Sequence, residues 1–189
     1  MSKSLENEEL QESQPDSLLV ERAVGGDGDS FTELCRRHYG AMVAIGHAIL
    51  GDRHLAEDAA QQAFAKAALH LPRLRESNQF GRWLAAICRN EAKDLARRRH
   101  RFTTPCEPPP VAPAASQPSE AAGAVKEALN RLSSEAREVI FLRFYDGLSY
   151  ERISAVLGIS EQAINGRLRR AKRKLAEHLR GAGFGEVKL

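Results

Sequence analysis

Apolar positions recur along this chain with the period of a helix, and nowhere with the alternation of a strand. Pro15-Asp16-Ser17 opens a short segment carrying Leu18, Leu19 and Val24, and the glycine-rich Gly25–Asp29 interrupts it. With Ser30 as cap, Phe31, Leu34, Cys35, Met42, Ile45 and Ile49 predict a helix from Phe31 to Leu50, ended by Gly51-Asp52. His54 to His70 is alanine-rich, which favours helix. There Leu55, Ala59, Ala63 and Ala67 form a smooth inner face, and Glu57, Asp58, Gln61 and Gln62 a polar edge that composition alone reads as solvated surface. After a connection holding Pro72, Arg73, Arg75 and Glu76, a long helix runs from about Gln79 to Arg99. Phe80, Leu84, Ile87, Cys88 and Leu95 face its core with Trp83 at the margin; Arg82, Arg89, Asn90, Lys93 and Arg97 lie opposite. Glu91 falls on the apolar side, which predicts a buried or edge ion pair.

Residues 102–119 hold six of the chain's eight prolines and predict an extended, semi-rigid linker. Beyond it, Val125, Leu129 and Leu132 mark a helix from Glu120, and Ser133-Ser134-Glu135 caps another with Val139, Ile140, Leu142 and Phe144 as core. Ser149 and Ser160 then cap two helices joined at Gly158, where a left-handed backbone is cheapest. Ile153 and Leu157 stripe the first; Ile164, Leu168, Ala171 and Leu175 give the second a buried face. Gln162, Asn165, Gly166, Arg169, Arg170 and Arg173 lie on the other side. Amide and guanidinium groups outside, apolar groups inside, suit a helix that enters a major groove; the plainer reading is a solvated hairpin with a basic face. The expectation is an all-α chain: an acidic tail (1–14), a helical domain (15–101), the linker (102–119), a helix-turn-helix domain (120–180) and a short C-terminal tail (181–189).

Charge sharpens this picture. The net charge is +3, yet residues 1–29 carry eight acids against Lys3 and Arg22, so the remainder carries +9, which suits a polyanionic partner. The run Arg97–Arg101 continues the basic stripe of its helix. Other chemistry is not supported. The six histidines never take zinc spacing, and no GxSxG, Walker loop or GxGxxG occurs. Asp27 and Asp29 suggest half a calcium loop that nothing completes. Cys35 and His38 could touch across one turn, but a core thiol is the simpler reading. Cys35, Cys88 and Cys106 form no disulfide or metal pattern, so reduced thiols in the cytosol are expected. No apolar run could span a membrane and no signal peptide is visible. The chain reads as cytoplasmic, without catalytic residues, metal or cofactor.

The order of parts resembles the extracytoplasmic-function sigma factors, the smallest class of bacterial RNA polymerase sigma subunits. The resemblance rests on Gly28-Asp29-Ser30-Phe31 with Leu34 and Tyr39, on His54–Phe64, on Phe80-Gly81-Arg82-Trp83-Leu84 with Ile87, Arg89-Asn90 and Asp94, and on nearly all of Leu132–Leu175. It implies a sigma region 2 bundle and a sigma region 4 helix-turn-helix that bind core RNA polymerase and promoter DNA, open the DNA, and answer to an inhibitory anti-sigma factor. It assigns polymerase docking to Asp58, Gln61 and Gln62, the last standing where the family usually has Glu. It assigns the −10 element to Arg73 and Arg75 in the loop and to Asn90, Lys93 and Arg97 on the helix. It assigns the −35 element to Gln162, Asn165 and Arg169 at base edges and to Arg167, Arg170, Lys172 and Arg173 at phosphates. Asn165 and Gly166 stand where the family often has Lys and Ser, so promoter preference is expected to differ there. The alternative is a free-standing helix-turn-helix regulator that binds operators without polymerase.

Overall fold

The computed structural model describes residues 14–102 and 120–184. Residues 1–13 of the expected acidic tail, 103–119 of the expected linker and 185–189 of the expected C-terminal tail lie outside the described residues, as does Cys106. The described residues form eight α-helices: α1 (Asp16–Val24), α2 (Gly28–Leu50), α3 (Arg53–His70), α4 (Phe80–Phe102), α5 (Glu120–Asn130), α6 (Ser134–Ile140), α7 (Tyr150–Leu157) and α8 (Glu161–Gly181). Two 3-10 turns join α3 to α4, and a π-helical turn, Phe141–Tyr145, follows α6.

In the first half, α2, α3 and α4 pack on one another and α1 crosses α2. The inner face of α3 is built from Ala56, Ala59, Ala60, Ala63 and Ala67, all fully buried, so its backbone lies close to its neighbours. Glu91 is buried and accepts from Lys66 Nζ at 2.5 Å, the ion pair its place on the wheel predicts. The start of α2 differs from expectation. Asp27, not Ser30, is the cap: its carboxylate accepts from the Asp29 and Ser30 amides, and the Ser30 hydroxyl donates to it at 2.6 Å. A charged acceptor at a positive helix end outcompetes the hydroxyl. In α1 the buried pair is Leu19 and Val20, while Val24 is exposed.

In the second half the expected caps are in place. Ser133, Ser149 and Ser160 accept from the amides of Ala136, Arg152 and Ala163, and Gly158 turns between α7 and α8 at φ 67°. The buried stripe of α8 is Ile164, Leu168, Ala171, Leu175 and also Leu179. Two expected core positions are corrected. Phe144 is 58% exposed, because the π turn adds a residue per turn, closed by the Asp146 amide donating to the Phe141 carbonyl, and so rotates the end of this segment outward. Val125 is exposed too; Ala128 is the buried position of α5, packed with Leu132, Ala171, Leu175 and Leu179.

The halves do not stand apart. Leu34, Met42, Ile45, Leu84 and Cys88 from the first share one hydrophobic core with Val139, Leu142, Ile153 and Val156 from the second. Glu138 is buried in this seam and accepts from Arg89 Nε at 2.6 Å. Asp146 lies so close to α2 that a Cβ on Gly40 would stand 2.0 Å from its Oδ1. Burial pushes the Asp146 carboxyl above its ordinary range, only partly opposed by the charge of Arg152.

Two outcomes follow from this packing. Gly40→Ala should push the Asp146 carboxylate aside and lower the melting temperature with unchanged helicity, read by circular dichroism. The second concerns acid. Burial works to raise the Asp16 carboxyl, but His38 and Arg37 hold it below its usual value, and bonds from Arg36, then Arg37, do the same for Glu33. Folded values below unfolded ones give stability that is complete above the unfolded carboxylate range, about pH 4, and is lost as pH falls through the folded values. Melting temperature should therefore fall on acidification below about pH 4. Glu33→Gln should flatten that fall while lowering the melting temperature at neutral pH.

Candidate nucleic-acid interface

The outer face of α8 is presented by the cap at Ser160 and by the apolar stripe that fixes the helix's rotation. Gln162, Asn165, Arg169, Arg170 and Arg173 are exposed along it, with Arg167 and Gly166 half-buried beside them. An amide pair at the leading turn followed by guanidinium groups is a surface able to hydrogen-bond base edges and phosphates. Gly166 shapes this surface: Arg170 folds back along the helix, and a Cβ at residue 166 would lie 3.4 Å from its Nη1. Lys172 is half-buried, its Nζ 4.7 Å from the Phe144 ring, so the exposed aromatic of the π turn holds its charge. Arg173 lies 3.8 Å from Glu177. Sequence reasoning missed Lys174, which joins Arg167 and Arg170 around a cleft of about 300 Å³ at the start of α6. Only the fold brings α6 beside α8, so no spacing along the chain could have signalled this.

On α4 the basic stripe divides. Asn90, Lys93 and Arg97 are exposed, the last paired with Asp94, and Arg98 and Arg101 extend this end. Arg89 instead turns into the seam toward Glu138, and Arg82 lies against the Gly158 turn, where an added Cβ would stand 2.6 Å from its Nε. Arg73 and Arg75 are exposed in the loop before α4, which the buried Leu71 anchors. Phe80 is fully buried and Trp83 half-buried against it, so both pack in the core.

The edge of α3 is open. Asp58, Gln61 and Gln62 are exposed, whereas Glu57 is engaged by Arg53 at 2.9 Å. Phe64 is buried and stacks on Tyr39. Three expected groups of residues therefore lie on three separate surfaces: the α3 edge, the outer end of α4 with its preceding loop, and the outer face of α8.

Of the described residues, the thiols of Cys35 and Cys88 are not poised for chemistry. Burial pushes Cys35 up to about 11 and Cys88 up to about 12, and Cys88 donates to the Met42 carbonyl. His38 is bound to Asp16 at 2.7 Å rather than to Cys35. Among the described residues no cluster of ligating side chains could hold a metal ion, and no helix is long and apolar enough to cross a membrane.

Comparison with known proteins places these surfaces in a family context. Residues 34–102 match the family described as sigma-70 region 2, and residues 122–175 match sigma-70, region 4. The RNA polymerase sigma factor CarQ of Myxococcus xanthus is 30% identical over 90% of this chain and 98% of its own length. A probable RNA polymerase sigma factor, RfaY of Xanthomonas campestris, is 30% identical over 77% of the chain, which spans only 41% of that protein's length. Among solved structures, CnrH in complex with the cytosolic domain of CnrY is similar at a TM-score of 0.61 and 28% identity, covering 88% of this chain and 97% of that one. RpoE of Bartonella quintana with the anti-sigma factor NepR is similar at 0.53 and 29%, covering 79% and 96%.

Because the methyl added in Gly166→Ala has room beside a movable guanidinium, this substitution should stabilise α8 by about 0.5–1 kcal/mol, the ordinary glycine-to-alanine difference in a helix. Denaturant unfolding at neutral pH measures it; a loss of stability would mean that the Arg170 position is fixed.

Proposed function

This chain belongs to the extracytoplasmic-function sigma factors of the sigma-70 family, and from that premise we propose how its surfaces divide the work of transcription initiation. It acts as a specificity subunit, with catalysis left to the polymerase. The observation that carries the assignment is the placement of three exposed polar surfaces, one acidic and two basic, on the two regions matched by the family, in the family's order.

Asp58, Gln61 and Gln62 on the open edge of α3 dock on core RNA polymerase, with Asp58 supplying the one formal charge of the three. Arg73 and Arg75, with Asn90, Lys93 and Arg97, meet the −10 element, where a base drawn from the stack costs a few kcal/mol that contacts in the loop must offset. Gln162, Asn165 and Arg169 read base edges of the −35 element; Arg167, Arg170 and Arg173 hold phosphates. Lys174 joins the phosphate group from its place beside Arg167 and Arg170. Lys172 takes a smaller part than its charge suggests, since the Phe144 ring already engages it. Asn165 favours adenine contacts, so the promoter preference departs here from relatives with a lysine. An inhibitory anti-sigma partner fits the two similar structures, one of which holds an anti-sigma factor by name.

Reconstitution with core polymerase and a promoter library tests the reading. Specific transcripts should require both the protein and core. Arg169→Ala should cost about 1–3 kcal/mol at one −35 position and relax preference there; equal weakening of every promoter would make Arg169 a phosphate contact. Asp58→Lys should weaken binding to core without altering the promoter preference of what remains bound. Tight duplex binding in the absence of core would instead support a free-standing regulator.

A further inference from the structure

A cleft of about 530 Å³ opens between the two halves, away from all three proposed surfaces. The end of α2 supplies His47, α5 supplies Val125, Lys126 and Leu129, and α6 with the π turn supplies Arg137 and Phe141. Its walls are mostly hydrocarbon, and they explain why Val125, placed by its spacing in a core, is left open. A ligand-sized apolar hollow with a few polar groups at its edge is the ordinary form of a small-molecule site.

The polar groups are unusual in having too few partners. The Arg137 guanidinium donates to Asn130 Oδ1 over a long 3.4 Å, and its Nε is buried with no partner. His47 Nδ1, also in the cleft, is likewise buried and unpartnered, its ring packed against Phe141. Among the described residues no carboxylate lines the cleft, so the charges of Arg137 and Lys126 are not answered within it. Burial alone pushes the guanidinium's affinity for its proton down, and for the His47 imidazole too burial is the largest cause of its lowered value. A half-buried guanidinium whose Nε has no partner beside an apolar wall is best relieved by an anion with two oxygens for the planar fork. The hydrocarbon walls require the rest of that anion to be apolar. A phosphate dianion would leave oxygens unmet in so apolar a lining.

We propose that this cleft binds a small apolar carboxylate, of the size of a medium-chain fatty acid, with its head on Arg137 and its chain over Val125, Leu129 and Phe141. His47 and Lys126 complete the head-group end. Because the walls come from both halves, such a ligand ties the halves together and stabilises the closed arrangement by mass action. The binding itself does not depend on the proposed role in transcription.

Isothermal titration of the full chain with sodium decanoate, held below its micelle concentration, tests this without polymerase or DNA. One saturable site is expected, with a matching rise in melting temperature. 1-Decanol should bind at least tenfold more weakly, and Arg137→Gln should lose at least tenfold for decanoate. Leu129→Trp should fill the cleft and abolish binding, with circular dichroism confirming that each variant is folded. Equal affinity for decanol, equal affinity of Arg137→Gln, or a site untouched by Leu129→Trp would overturn the proposal. So would a cleft that ignores decanoate but accepts a glutamate-bearing amphipathic peptide, or a dimer that Val125→Glu dissociates, since the occupant would then be a protein partner or a second copy.

Discussion

Everything else in this structure depends on the seam where Val139, Leu142, Ile153 and Val156 bury against α2 and α4. Each is an apolar group worth roughly 1.5–3 kcal/mol when taken from water, and together they join the two halves in one core. The polar groups caught in the seam make it selective as well as strong. Glu138 is satisfied only because Arg89 reaches it, and removing either partner leaves a charge in a place where water has little access. Gly40 admits the Asp146 carboxylate, which any side chain at residue 40 would force aside. Apolar burial sets the strength of the closed arrangement, and these two contacts set its register.

Much of the fold was legible one helix at a time. Ser133, Ser149 and Ser160 could be read as caps because a hydroxyl before an apolar-periodic run has few other uses, and the stripe of α8 because it repeats over about three turns. What escaped was decided between elements. The π turn has no signature in spacing, since it is set by how Phe141 and Leu142 meet α2, and it alone turns Phe144 outward. Val125 obeys the wheel of α5, yet its wheel faces a cleft rather than a core. At the start of α2 the cap is Asp27, three residues before the Ser30 read as cap, because the carboxylate reaches the amides of both Asp29 and Ser30.

The candidate surfaces show the same division. Asp58, Gln61, Gln62, Asn90, Lys93 and Arg97 are exposed where the helical wheel puts them. Arg89 shares that wheel with the last three but is drawn into the seam by the buried Glu138 carboxylate, and Arg82, though exposed, lies against the Gly158 turn. Lys174 lies outside the outward arc drawn for α8 and is enlisted by α6 from the side. A basic face on one helix is thus readable in sequence, whereas membership of a surface built by two helices is not.

Gly158, first a matter of turn geometry, has a further consequence. Its bare Cα leaves room for the exposed Arg82 side chain beside it, so the turn that orients α8 also meets a cation of α4. A folded body of this chain length has a radius of gyration of only about 16 Å. Two DNA elements some 25 base pairs apart, at about 3.4 Å per step, lie roughly 85 Å from each other. On the proposed assignment the closed protein can reach only one of them at a time. Parting the halves would then do two things in one motion: lengthen the reach of the molecule, and uncouple Arg82 from the Gly158 turn and Arg89 from Glu138.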